Sequence, residues 1–221
     1  MSSPPSHPLP ADEILVAQLL AGDEAAFTLV VDGWSPGMRR VARTFVTSDA
    51  SAVEVVQDAW LAVVTSLPGF EGRCRLRTWV YRILVNAARR RASQEGRILP
   101  MGSLEGEDAG PVVGAARFQG PEDPYPGHWR AFPDEWPEQA LASAELRDVV
   151  QEAVARLPHR QRVVITLRDI ESCDSAEVCD LLDITPGHQR VLLHRARASV
   201  RDEVAAYFEG GGGSDAHRSV P

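Results

Sequence analysis

The chain has no lysine: its 23 basic residues are all arginine, set against 31 acidic residues and 6 histidines. Arginine favours bidentate contacts with phosphate and guanine, but a GC-rich codon usage explains the same bias, so this feature decides little. Cysteine is also scarce. Cys74, Cys173 and Cys179 show no C-x-x-C spacing, and with the scattered histidines they match no known zinc pattern. We therefore expect no metal site and no cofactor.

The sequence shows no long apolar run. Residues 1–10 are rich in proline and serine without the apolar stretch of a signal peptide, and we find no apolar segment of 18 residues. We therefore expect a cytoplasmic protein without membrane insertion.

The net charge of −8 argues at first sight against a nucleic-acid partner. The acidic excess is uneven, however, because residues 98–140 carry −6 of it, residues 141–209 carry −3 and residues 12–97 carry +1. Local basic faces decide contact with DNA, so the overall sign excludes little.

Composition and periodicity divide the chain into five segments. We expect a disordered N-terminus over residues 1–11, a helical domain over 12–97 and an acidic linker rich in glycine and proline over 98–140. A second helical domain over 141–209 precedes a glycine-rich, disordered tail over 210–221. The fold class is therefore all-α, with two helical domains joined by a long linker.

The linker contains five aromatic residues, which are unusual in a passive spacer. It could become ordered on a partner, or its aromatic side chains could pack back on the two domains in a closed form, and the sequence leaves both open. These residues are Phe118, Tyr125, Trp129, Phe132 and Trp136.

Residues 157–207 have the pattern of a helix-turn-helix. A helix predicted over residues 161–170 is followed by a second helix that begins at Asp174, where Glu177 completes a capping box. The second helix ends at Leu182, and the aspartate that follows tolerates the left-handed backbone of a tight turn.

A third helix opens with Thr185 as its N-cap and Pro186 at its first position. Its apolar stripe consists of Leu193, Ala196, Val200 and Val204. Its basic stripe consists of Arg190, His194, Arg197 and Arg201. A basic face without an acid fits the DNA major groove, while a solvated helix in a bundle is the alternative.

Residues 12–97 are predicted to be helical throughout. Asp12 is expected to cap a first helix, Gly22-Asp23-Glu24 to start the next, and further helices to cover about 49–67 and 77–93. The expected inner face of the last helix consists of Trp79, Val80, Ile83, Leu84 and Ala87.

Two strings resemble a known family. LPHRQR, LRDIE, AEVCDLL and GHQRVLLHRAR, all between Leu157 and Arg197, resemble region 4 of the extracytoplasmic-function (ECF) sigma factors of bacterial RNA polymerase. VEVVQDAWLAVVTSLPGF and LRTWVYRILVNAARRR, between Val53 and Arg91, resemble region 2 of the same family. The resemblance implies a factor that binds core polymerase and promoter DNA. It also implies that the protein is not an enzyme, since polymerase makes the RNA, and that an anti-sigma factor holds it inactive.

The resemblance also implies three surfaces. The surface that docks on polymerase would consist of Glu54, Gln57, Asp58, Trp60 and Leu61. The surface that opens and reads the −10 element would consist of Phe70, Arg73, Arg75, Arg77, Asn86, Arg89 and Arg90. The surface for the −35 element would consist of Thr185, Gly187, His188, Arg190, His194 and Arg197. Duplex melting needs an aromatic wedge, a pocket for an unstacked base and cations for the strand, which the second set contains.

Other functions stay open at this point. A stand-alone helix-turn-helix regulator would carry a ligand, receiver or dimerisation element, and residues 12–97 resemble none of these. A metal-dependent hydrolase would need convergent histidines and carboxylates. A sigma-like protein that binds polymerase and blocks it would differ by only a few loop contacts.

Overall fold

The computed structural model describes residues 10–97 and 144–209, and all regular structure in these two ranges is helical. This confirms the all-α prediction for the described part of the chain. The expected linker with its five aromatic residues, the tail and almost all of the N-terminal segment lie outside the described residues.

Four helices follow one another in the first range. They are α1 (Asp12–Leu20), α2 (Glu24–Phe45), α3 (Asp49–Ser66) and α4 (Leu76–Gln94), with a 3-10 turn at Leu67–Gly69. The Asp23 side chain accepts hydrogen bonds from the backbone nitrogens of Ala25 and Ala26, which confirms the predicted start of α2. Ser48 caps α3 by accepting from the nitrogen of Ser51.

Asp12 does not cap α1 as predicted. Helix α1 begins there, but its N-cap Ala11 offers no side-chain hydrogen bond. The Asp12 carboxylate instead accepts from the backbone nitrogen of Leu76 at 2.6 Å. Since Arg75 precedes α4 without a capping side chain, Asp12 satisfies one of the free N–H groups at that helix start.

The predicted inner face of α4 was correct only in part. Val80 and Leu84 are buried, but Trp79, Ile83 and Ala87 are only half-buried. The helix packs against both α2 and α3, and burial on two sides widens the inner face. It also takes in Leu76, Tyr81, Val85, Ala88 and Ala92.

Helix α3 with its 3-10 turn, Asp49–Gly69, is long and apolar enough to cross a membrane by length and composition. The expectation that no such segment exists was therefore wrong by this criterion. It is weak evidence for a membrane span, because the core helix of a soluble protein passes the same test. The apolar side chains of Val55, Ala59 and Val63 are buried, and α3 packs on α2 and α4.

Residues 144–209 are divided between two compact units. Residues 171–183 belong to the first unit, with residues 10–97, whereas residues 144–170 and 184–209 form the second. The helices of the second range are α5 (Ala144–Arg156), α6 (His159–Ile165), a π-turn (Thr166–Ile170), α7 (Ser175–Leu182) and α8 (Pro186–Glu209). Helix α7 therefore lies in the first unit and α8 in the second, where α8 packs on α5 and α6. The predicted domain bounds stay predictions.

The local signals for the helix-turn-helix are confirmed. Asp174 and Glu177 form the capping box of α7, each side chain accepting from the backbone nitrogen of the other at 2.8 Å. Asp183 follows α7 in the left-handed conformation, with φ 56° and ψ 53°. Thr185 then caps α8 through its hydroxyl, which accepts from the nitrogen of His188 at 3.2 Å.

Candidate nucleic-acid and protein interfaces

The outer face of α3 carries an exposed apolar patch beside acidic and amide groups. Leu61 is 68% exposed and Val64, which was not among the predicted residues, is 50% exposed. Their spacing of three residues places them on one helical face, so the pattern could have identified Val64. Glu54, Gln57 and Asp58 are also exposed.

Trp60 is held in place next to this patch. Its ring stacks on that of Trp34 with centroids 6.4 Å apart and planes inclined by 12°. Its indole nitrogen donates to the hydroxyl of Ser35 at 3.0 Å. The ring and the indole nitrogen thus join α3 to α2, and only the exposed part of the half-buried tryptophan is available to a partner.

The loop before α4 adjoins an open cleft of about 390 Å³. The Phe70 ring lies at its wall and packs on Trp79, with ring centroids 5.2 Å apart. The cleft therefore offers an aromatic face beside the carboxylates of Asp12 and Glu13 and the guanidinium group of Arg75. Its lining residues are Asp12, Glu13, Val16, Phe70, Gly72, Cys74 and Arg75.

The predicted −10 residues fall into two groups. Arg75, Asn86 and Arg90 are exposed, and Arg73 forms an ion pair with its neighbour Glu71. In contrast, the half-buried Arg77 and Arg89 are bound by residues 171–183 of the same unit. Arg89 donates to the backbone oxygen of Leu182 at 2.8 Å.

Arg77 helps to form a carboxylate pocket around Glu171, which is 5% exposed. The Arg77 guanidinium group donates to the backbone oxygen of Glu171 at 2.8 Å and to its carboxylate oxygen Oε2 at 3.1 Å. Arg40 donates to Oε1 at 2.8 Å and Tyr81 to Oε2 at 2.8 Å. These contacts compensate a buried negative charge, which would otherwise be costly.

The pocket depends on a glycine and on a neutral phenol. A Cβ atom at Gly37 would lie 2.6 Å from the Tyr81 hydroxyl and would clash with the Glu171 carboxylate. Burial raises the pKa of Tyr81, so the hydroxyl keeps the proton that it donates. This pocket was not predicted from the sequence, where a glycine beside Pro36 within the long helix α2 is its only local signal.

Two further contacts join α7 to α4. The Thr78 hydroxyl donates to Glu177, and Arg82 forms an ion pair with Asp180 at 3.8 Å. Helix α7 thus covers part of the arginine-rich side of α4.

The predicted −35 residues of α8 do not all face outward. Arg190, His194 and Arg197 are exposed, as are Thr185 and Gly187 at the helix start. His188 is buried, with 6% exposure, and this argues against direct base contact. It shares an i+4 spacing with the buried Leu192 and Ala196, a signal that would have placed it on the inner face.

Cys74, Cys173 and Cys179 form no disulfide, and the last two are buried. Burial raises the pKa of the Cys173 thiol to about 11, so it carries little thiolate at neutral pH. Cys179 is buried in α7, as expected of a small core residue. Among the described residues, no group of three or more His, Cys, Asp or Glu is placed to hold a metal ion.

Two family models match the chain. "Sigma-70 region 2" matches residues 30–98, and "Sigma-70, region 4" matches residues 147–200. Together the two matches cover more than half of the sequence.

Two similar curated proteins share one description. The chain is 28% identical over 193 residues to the ECF RNA polymerase sigma-E factor of Escherichia coli K12, covering 87% of this chain and 94% of that protein. It is 27% identical over 194 residues to the sigma-E factor of Haemophilus influenzae, with coverage of 87% and 95%.

Two solved structures share the fold. CnrH in complex with the cytosolic domain of CnrY matches with a TM-score of 0.55 and 24% identity, over 89% of this chain and 99% of that chain. The sigma factor RpoE in complex with the anti-sigma factor NepR, from Bartonella quintana, matches with a TM-score of 0.54 and 18% identity, over 81% and 96%.

Proposed function

Because this chain belongs to the ECF family of RNA polymerase sigma factors, we propose specific roles for the surfaces described above. As a sigma factor it binds core polymerase, recognises promoter DNA and directs the initiation of transcription. The observation that carries the assignment is the presence of both family regions, in order, on one chain. We further propose that it works in the cytoplasm and has no catalytic activity of its own, since polymerase makes the RNA.

We assign −35 recognition to the exposed face of α8. Arg190, His194 and Arg197 are exposed along this helix and can reach base edges and phosphates in the major groove. Thr185 and Gly187 lie at the start of the helix, where backbone N–H groups favour a phosphate. The buried His188 is left out of this set.

We assign −10 opening to the cleft beside Phe70 and to the outer face of α4. An unstacked base can pack on the Phe70 ring, and the polar groups of the cleft can meet its edge. Arg73, Arg75, Asn86 and Arg90 are exposed along the path that the strand would take. Arg77 and Arg89 can join them only after their present contacts break.

We assign polymerase docking to the outer face of α3. Leu61 and Val64 supply apolar area, the exposed part of Trp60 supplies an aromatic contact, and Gln57 and Asp58 supply polar specificity. Glu54 lies at the rim of this face and can also contact polymerase, although its carboxylate already forms an ion pair with Arg91 at 2.8 Å.

We propose that an anti-sigma protein binds this chain. RpoE, which has the same fold, was solved in complex with the anti-sigma factor NepR. An exposed apolar patch such as Leu61 and Val64 suits a partner that competes with polymerase.

An assay of promoter opening tests the assignment of Phe70. Purified protein is mixed with core polymerase and promoter DNA, and unpaired thymines near −10 are detected with permanganate. Phe70→Ala should keep core binding but lose opening, whereas Phe70→Tyr retains the ring and should open DNA normally. Leu20→Ala removes another exposed apolar side chain of this unit and serves as control. Normal opening by Phe70→Ala would contradict the assignment.

A further inference from the structure

Residues 171–183 and helix α4 have opposite charge. Five acidic residues and no basic one lie in this segment: Glu171, Asp174, Glu177, Asp180 and Asp183. Five arginines and no acidic residue lie in α4: Arg77, Arg82, Arg89, Arg90 and Arg91. A polyanionic DNA strand would be attracted to the same arginines.

Two contacts of the segment occupy arginines that we connect with the −10 element. Glu171 binds Arg77 and the Leu182 backbone oxygen binds Arg89. Both arginines belong to the predicted −10 set. While these contacts last, the hydrogen-bonding groups that bind the segment are unavailable to a phosphate.

The pocket around Glu171 is built for an anion and is open on its cationic side. The Glu171 side chain is 4% exposed, but those of Arg40 and Arg77 are 52% and 34% exposed. Both guanidinium groups can therefore be rehydrated, or bind another anion, once the carboxylate leaves. A guanidinium fork binds phosphate as well as carboxylate.

The backbone at both ends of the segment permits a change of direction. Ser172 has φ 55° and Asp183 has φ 56°, and they are the non-glycine residues with positive φ in the described part of the chain. Both residues lie at the ends of helical elements, and hinges are formed by a few such residues whose dihedral angles absorb a movement. The helix between them, α7, is closed locally by its own capping box and can move as a body.

We propose that residues 171–183 act as an internal competitor for promoter DNA. In the free protein Glu171 fills an anion site formed by Arg40, Arg77 and Tyr81 beside Gly37, and a phosphate of the −10 strand fills that site when the segment leaves. This proposal rests on the assignment of α4 to the −10 element. It adds an anion site and a displacement step to that assignment.

The test compares the free full-length chain with two variants. A fluorescent single-stranded −10 oligonucleotide is titrated at low salt, and binding is followed by anisotropy. Glu171→Gln removes the charge but keeps the shape of the side chain. We expect this variant to bind the oligonucleotide about tenfold more tightly, because it loses one charged hydrogen bond that competes with DNA. Glu203→Gln removes the same charge from an exposed ion pair with Arg156 in the other unit and should leave binding unchanged.

A measurement on the unaltered protein keeps the proposal testable if Glu171→Gln fails to fold. Hydrogen exchange of the α7 amides should accelerate when the oligonucleotide binds. Unchanged exchange with DNA bound, or no gain in affinity in a folded Glu171→Gln variant, would overturn the proposal.

Transcription by the holoenzyme is measured in parallel. If the holoenzyme initiates normally while exchange and affinity stay unchanged, the internal competitor is wrong and the sigma-factor assignment stands. If the unaltered protein supports no initiation with core polymerase, the assignment of α4 fails and the competitor fails with it.

Discussion

Arg197 and Asp169 are joined by two parallel hydrogen bonds, from Nε to Oδ2 at 2.8 Å and from Nη2 to Oδ1 at 2.7 Å. Both residues lie in the second unit. The pair fixes the direction of a guanidinium group that we assign to the −35 element, and the side chain is still 50% exposed. Asp169 therefore orients this arginine on the outer face of α8.

Arg197→Ala should weaken binding to a −35 duplex and reduce the slope of log K against log salt by about 0.9, as for one lost phosphate contact. The free energy of unfolding should change by less than about 1 kcal/mol, because the ion pair is largely exposed. Asp169→Asn keeps the cation and should retain the salt slope. Equal losses in the two variants would show that only the ion pair matters.

Arg190→Ala should reduce initiation from promoters that depend on the −35 element and leave core binding intact. Arg190 is exposed and has no partner among the described residues, so its removal leaves folding unperturbed. A lost base contact costs about 1–3 kcal/mol of discrimination. Transcription and core binding are measured on the same preparations, and parallel loss of both would contradict the role of α8.

Asp58→Arg should abolish assembly with core polymerase by reversing a charge at the centre of the docking face. Asp32→Arg makes the same change on an exposed position of α2 and should assemble normally. The measurement is co-elution with core polymerase in gel filtration. Normal assembly of Asp58→Arg would place the docking surface elsewhere.

Asp12→Ala should lower the free energy of unfolding by about 1 kcal/mol through loss of the cap on α4. Glu13→Ala removes a neighbouring, exposed carboxylate without such a contact, and it should have little effect. Chemical denaturation followed by circular dichroism measures both. If the two variants lose equal stability, the hydrogen bond to Leu76 contributes nothing.

Glu95 should make the stability of the protein depend on acid pH. Hydrogen bonds from Ser51, Arg91 and Thr47 hold its pKa at about 2, below the ordinary 4.5. A carboxyl group whose pKa is lower in the folded than in the unfolded protein stabilises the fold at pH values above its unfolded pKa. This contribution is lost as pH falls from about 4.5 to 2. Glu95→Gln should therefore be less stable than the unaltered protein at pH 7 and differ little near pH 2. A constant difference across this range in thermal unfolding would contradict the prediction.

Features set by near neighbours in sequence could be predicted from the sequence. The capping box of Asp174 and Glu177 and the Thr185 cap each join residues three apart. The starts of α7 and α8 could therefore be predicted from the capping residues alone. Most of the exposed face of α8 could be predicted from the helical spacing of its apolar and basic residues.

Features set by distant residues could not be predicted. Asp12 caps a helix 64 residues away, and Glu171 binds an arginine 94 residues earlier in the chain. The inner face of α4 was misplaced because two helices, rather than one, pack against it. The spacing of residues along one helix does not predict these contacts, because they depend on which helices pack together in the folded protein.

Run-off transcription tests the central claim most directly. Purified core polymerase is given genomic promoter fragments with and without this protein, and the 5′ ends of the transcripts are mapped. We predict transcripts that depend on the protein and whose upstream sequences share a −35 and a −10 element. Absence of such transcripts, with a folded protein and active core, would contradict the account.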